Sequence, residues 1–358
     1  MSNATPGGVT IPPLPEGERD LGPWALAAVA ALAQVDEEWR VDGEREFTWW
    51  PHRLVQRVRA EPAREAFGET VTRVHLSTDL LGGVPVSDRV LGELAEANLT
   101  STLSGLALDP DGTLSAHCHA WLHPGNAWQV NLLGTAAILQ AATCEASVDS
   151  IREAIGGRLV DPPHPQRGPR TEPDEMLAIG GFVAEAGAGP CAYTLDDVAA
   201  AAREGKRFWV RVTTDGRSLT AEVPFLGDEA GDLSTALLQL TAEERHPELG
   251  SGLLALLRLP VQLPTKTAAR LANDLALAER EATTVSPLLG SWCLAGDAVA
   301  FASFTPAFVI AGDSAESRRS RLVSSAAWMA ARSLWAATEL AQRSAGPFGA
   351  SGGPPQGR

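Results

Sequence analysis

The sequence predicts an α+β protein built from two diverged copies of one unit. Each copy has the element order α-β-β-β-α-β-β-α, with an antiparallel sheet packed with helices. Three observations predict this. RVHLST from Arg73, VLGELAEAN from Val90 and LSGLALDPDG ending at Gly112 are echoed about 185 residues later by LRLPVQ from Leu257, ARLANDLALAERE and LLGSWCLAGD ending at Asp297. In that alignment Gly105 falls on Gly290, Leu76 on Val261 and Asp88 near Asn273. Strand-like stretches alternate apolar and polar residues, and each copy closes on a long Ala-rich helical pattern. A repeat of domain size implies tandem domains, since solenoid periods are only about 20–50 residues.

Residues 1–20, rich in Pro, Gly and charge, read as a disordered tail, followed by a first domain over 21–157. Pro23 suits the first turn of a helix running through WALAAVAALAQV. EFTWW, Glu46–Trp50, reads as a strand that Pro51 ends. HRLVQRVRA alternates with period two, and a third strand over Thr70–Thr78 carries Val71, Arg73, His75 and Ser77 on one face. Ser87 is a good N-cap for a helix to Ala97, with Val90, Leu91 and Leu94 on one side. Strands are expected over Leu99–Leu108 and Leu114–Leu122, joined at Asp109-Pro110-Asp111-Gly112. A long helix over Ala127–Ile155 closes the domain.

Residues 158–175 form a Pro-rich linker, and 176–344 form the second domain. Two short helices are expected first, near Glu175–Ala186 and after an N-cap at Thr194. RFWVRV and SLTAEVPF flank a turn at Thr214, Asp215 and Gly216. Strands near Ala236–Leu240 and Leu253–Leu259 follow, with Glu243, Glu244 and His246 in the loop between them. Next come a helix (Thr265–Glu281), strands Pro287–Leu294 and Ala298–Phe304, and a helix from Ser314 to Arg343. Residues 345–358 read as a second disordered tail.

The net charge of −15 argues against nucleic acid and anionic membrane partners, both of which need a basic face. No apolar run approaches the roughly 20 residues of a membrane span. Cys118, Cys144, Cys191 and Cys293 form no CxxC pair, so a cytoplasmic protein with reduced thiols is expected. Lys206 and Lys266 are the only lysines, a bias consistent with a GC-rich bacterial genome.

The blocks 70–155 and 251–343, through their element order and apolar pattern, resemble type III secretion chaperones and the related YbjN-like proteins, in a tandem version like the TY-Chap proteins. The resemblance implies a sheet-and-helix surface that binds a client protein, and it implies no catalytic residues or cofactor. It also implies a monomer acting as an internal pseudo-dimer, or a homodimer. The segment 171–206 has no counterpart in that pattern.

Two groups of residues could carry chemistry. In SAHCHAWLH, His117, His119 and His123 share one strand face with Trp121. Same-face neighbours lie about 7 Å apart, within reach of one metal ion. The alternative to a binding module is therefore a metal-dependent enzyme or metal-binding protein centred on these histidines. The plainer reading is a His-rich, half-exposed sheet face; the second copy has Phe301 and Ser303 there. Trp49 and Trp50 point to opposite faces, which would leave one outside the core. Trp328 and Trp335 share a helix face. All four are candidate client anchors, or else they pack the core and the seam between the copies. No GxSxG, HExxH or Walker pattern occurs, so a non-enzymatic binding module is the expectation.

Overall fold

The protein is described by a computed structural model over residues 10–66, 68–101, 103–178, 197, 200, 203–204, 209–214, 218–227, 233–246, 250–282, 286–307 and 314–345. Residues 1–9 of the first tail, Cys191, the Thr194 cap, Asp215-Gly216 and residues 346–358 lie outside these.

The first domain opens with α1 (Gly22–Leu32), started by Pro23 in its first turn. Its apolar residues are spread round the helix, so it is buried between the sheet and the later long helix. Five strands follow where three were expected: β1 (Arg40–Asp42), β2 (Glu46–Trp49), β3 (Val55–Ala60), β4 (Arg64–Ala66) and the long β5 (Glu69–Gly82). Of these, β2, β3 and β5 are the expected ones, and the three-residue β1 and β4 are additional. Ser87 caps α2 (Asp88–Ala97), its side chain accepting from the Val90 amide. A hairpin of β6 (Gly105–Leu108) and β7 (Leu114–Leu122), then α3 (Gln129–Ile155) and the two-residue β8 (Arg158–Leu159), complete the domain. The second domain runs β9 (Arg211–Thr214), β10 (Ser218–Gly227), β11 (Leu233–His246), β12 (Gly250–Arg258), α4 (Thr265–Glu281), β13 (Ser291–Ala295), β14 (Ala298–Pro306) and α5 (Ala315–Ala345).

Both sheets are antiparallel and have one topology. The first has the spatial order β1-β2-β3-β5-β7-β6, and the second β9-β10-β11-β12-β14-β13. The sequence duplication is thus a duplication of strand connectivity, with β4 and β8 as additions beside β5 in the first copy. On the first sheet Phe47, Trp49, Val58, Val74, Leu76, Cys118 and Ala120 face α1 and α3 in one core. On the second, Leu219, Ala221, Leu238, Leu240, Leu257 and Phe301 belong to a core that includes α4 and α5 and continues into α2 of the first domain. The domains therefore share apolar burial, the main stabilising term of the fold.

Their contact is reciprocal. α2 packs along α4, and the 3-10 turn after α2 (Asn98–Thr100) runs over β13 and β14. In return, the chain after α4 lies on the first sheet, where Leu288 exchanges both backbone hydrogen bonds with His119 (3.1 and 2.9 Å). The two hairpins begin at Gly105 and Ser291, and these residues abut. A Cβ on Gly105 would stand 2.6 Å from the Ser291 Cβ, so the approach requires glycine.

Some boundaries differ from the sequence expectation. Residues 99–101, 103 and 104 form no strand; the turn at Asn98–Thr100 crosses to the second sheet instead. Glu243, Glu244 and His246 lie within β11, opposite β12, and not in a loop. Val261 sits in the loop before α4, whereas the ladder to the next strand places Leu254 and Ala255 near the level of Leu76. The repeat register therefore holds through the second hairpin and slips across the loop before the middle helix.

Gly105→Ala should lower the stability measured by denaturant unfolding by about 1–3 kcal/mol, the range for overpacking a tight contact. An unchanged midpoint would mean that the two hairpins are not pressed together at this point.

Candidate functional site

Strand alternation gives the first sheet an inner apolar face and an outer ionisable one. Two rungs cross the outer face. One carries Glu46, Arg59, His75 and His119, and the next carries Thr48, Arg57, Ser77 and His117. The C-terminal turn of α4, from the other domain, forms a wall above them. Together they enclose a pocket of about 270 Å³ lined by Arg57, Arg59, His75, His117, His119 and Arg280, with Glu46 and Glu281.

Arg73 ties the floor to the wall. Its side chain is buried, and one guanidinium nitrogen donates to the carbonyls of Glu279 (3.3 Å) and Arg280 (2.5 Å). It thereby adds a charged donor to the carbonyls at the negative end of α4, where Glu279 also accepts from the Ala282 amide. The same nitrogen lies 3.2 Å from His119 Nδ1, while Glu61 lies 3.7 Å from the guanidinium. Burial brings the Arg73 pKa down to about 10. Next to it, His75 Nε2 meets Glu61 at 2.7 Å.

The histidines of the predicted cluster separate into two roles. His117 and His119 are 4% and 1% exposed on the floor of the pocket. His123 lies beyond the strand, where Nδ1 accepts from the Gly125 amide and caps a 3-10 turn. The three do not converge on one point, and among the described residues no group of His, Cys, Asp and Glu is placed to hold a metal ion. The neighbours of His117 and His119 are Arg280 and Arg73, which repel a cation. Burial, reinforced by Arg280, takes the His117 pKa down to about 3. Burial and Arg73 hold His119 well below its usual value and His75 at about 4. All three imidazoles are neutral at neutral pH.

A second buried ion pair lies behind the wall. Glu279, which follows Ala272, Leu275 and Ala276 on the apolar face of α4, meets Arg332 of α5 at 2.9 Å and accepts from Trp292 Nε1 at 2.7 Å. Burial raises the Glu279 pKa, against the attraction of Arg332. Arg332 also stacks on Phe301 at 3.6 Å. Sequence reasoning missed Arg73, His75, Glu61, Glu279 and Arg332. The available signals were paired ionisable residues on one face of β5 and a carboxylate in the apolar stripe of α4.

The tryptophans fall differently from expectation. Trp49 is fully buried, and Trp50 is 7% exposed with its Nε1 donating to Pro162; neither lies outside the core. Trp335 leans on Trp292. Trp328 is half-buried and stacks on Trp128 at 6.0 Å and 23°, which places it at the seam between the domains. There the two rings border a narrow cleft lined by Leu103, Leu132, Leu253, Leu289 and Met329, with about 40 Å³ for solvent-sized occupants. Cys118, Cys144 and Cys293 are buried free thiols, pushed up to about 12 by burial.

Neutral histidines give the fold a pH dependence. With folded pKa values below the ordinary one of about 6.5, the unfolded chain binds more protons between about pH 6.5 and the folded values near 4 for His75 and 3 for His117. Their contribution is fully present above pH 6.5 and is lost as pH falls through that window. Denaturation midpoints should drop steadily from pH 6.5 to 4, and a His75→Gln/His117→Asn variant should show a shallower slope. An equal slope in the variant would remove these imidazoles from the account. Comparison of the chain with known protein families, characterised proteins and solved structures finds no match.

Proposed function

We propose that the chain is a non-enzymatic protein-binding module, chaperone- or adaptor-like, that holds a segment of a client protein on an apolar surface formed by sheet and helix. The observation that carries this reading is the cleft at the domain seam. It is lined by leucines from both domains, and it is bordered by the stacked Trp128 and Trp328 with Arg321 over Trp128 at 4.3 Å. Half-buried aromatic rings around an apolar cleft are the usual composition of a binding anchor. As the rings stand, the cleft is too narrow for a side chain, so a client would have to part them. The resemblance to tandem chaperone-like proteins supports the same conclusion.

The edges of the sheets narrow the mode of binding. β6 is an edge strand, and its outward groups are already engaged. Asn98 bonds both the amide and the carbonyl of Leu106 (2.8 and 2.9 Å), and Asn273 does the same for Leu108 (2.8 and 2.9 Å). Two side-chain amides thus occupy the place of an added strand, which leaves insertion of side chains or a helix into the cleft as the mode there. In this reading the chain works in the cytoplasm as a monomer whose two domains stand in for the halves of a dimer. The acidic surface keeps the complex dispersed, and nucleic acid and membranes are not partners. No helix among the described residues is long and apolar enough to cross a membrane.

A photo-crosslinking residue placed at Ser325, on the cleft wall, should give one or a few discrete protein adducts in the native host. A Trp128→Ala/Trp328→Ala background should diminish them. Adducts that persist unchanged in that background, or none at all from Ser325, would sink the client reading.

A further inference from the structure

The polar pocket over the first sheet invites comparison with the same region of the second. There the outer face of β12 presents Leu254, Leu256 and, at its end, Arg258, and that of β14 presents Ala300, Ala302 and Phe304. The corresponding strands of the first sheet, β5 and β7, present His75, Ser77, Ser115, His117 and His119. One topology therefore covers this face mostly with apolar side chains in one copy and mostly with ionisable ones in the other. Burying imidazole and guanidinium groups is costly where leucine and alanine pack as well. The fold alone does not call for them.

What the pocket offers a ligand is donors. Arg57 is held by Asp79 at 2.7 Å and Arg280 by Asp109 in a fork of 3.0 and 2.6 Å. Arg59, exposed at the mouth, makes no ion pair among the described residues. Arg280 Nε–H donates to Glu281 at 3.1 Å, so beyond the fork one N–H on each terminal nitrogen is left for a ligand. His117 lines the pocket, and its buried Nδ1 meets no hydrogen-bond partner. The volume of about 270 Å³ lies just under the usual range of about 300–1,000 Å³ for ligand pockets, so the occupant is small. Glu46 and Glu281 in the lining disfavour an extended polyanion.

We propose that this pocket binds a small oxyanion, a carboxylate or phosphate group, between Arg59 of the first domain and Arg280 of the second. Charge-assisted contacts to guanidinium groups from two domains would make the ligand a further tie across the seam. The site is separate from the aromatic cleft, and its occupancy does not depend on the client reading.

Calorimetric titration of the full chain with inorganic phosphate and, separately, with citrate tests this, with chloride holding the ionic strength constant. Saturable one-to-one binding of at least one of the two is expected, and which one binds identifies the group. Arg59→Gln should weaken binding roughly tenfold or more, the effect of losing one charged contact. Its unliganded melting temperature should stay that of the wild type. Arg211→Gln, an exposed arginine on the second sheet, should bind as the wild type does. The proposal is overturned if neither anion gives a saturable signal, if Arg59→Gln binds like the wild type, or if Arg211→Gln weakens binding equally.

Discussion

The arrangement depends on a buried guanidinium in one domain meeting a helix end in the other. Arg73 has almost no access to water, so its charge must be answered by protein. The answer comes from the α4 carbonyls of Glu279 and Arg280, more than 200 positions along the chain. Separating the domains would strand that charge beside His119 and expose the C-terminal turn of α4. The bidentate Arg280–Asp109 pair, the Asn273 amide on Leu108 and the Leu288–His119 exchange surround the same point. They make the seam polar and directional where the rest of the contact between α2 and α4 is apolar.

The duplication acquires physical meaning at this seam. Each domain sends the chain after its middle helix over the other's sheet, and the hairpins meet at Gly105 and Ser291. The two copies differ on their outer faces. That of the second is largely apolar, with Arg258 at one end; that of the first carries arginines, and histidines that burial keeps neutral. The site chemistry thus belongs to one copy, while the architecture belongs to both.

Much of this architecture was legible from local signals. Ser87 capped the helix it was expected to cap, and Leu114–Leu122 and Thr265–Glu281 fell where their periodicity placed them. Local signals failed where the cause was distant. Leu99 and Thr100 read as the start of the strand that reaches Leu108, yet they turn over the other domain's sheet. Glu243, Glu244 and His246 read as a loop because they are polar, yet the neighbouring β12 holds them in a strand. The histidine row on β7 was visible as a row; its neutrality was not, because it comes from burial beneath a helix far along the chain, reinforced by Arg280 and Arg73. Trp49 and Trp50 looked divisible between core and surface, but Trp50 is covered by the linker residues Pro162 and His164.

A client cleft and an oxyanion pocket on either side of one seam both require the domains to behave as a single body. Native-state hydrogen exchange tests that most directly, through the amides of β5 in the first domain and β12 in the second. The account predicts that both strands open with the same free energy and the same denaturant dependence, as one cooperative unit. Two strands that exchange with distinct free energies, one domain opening while the other stays closed, would contradict it.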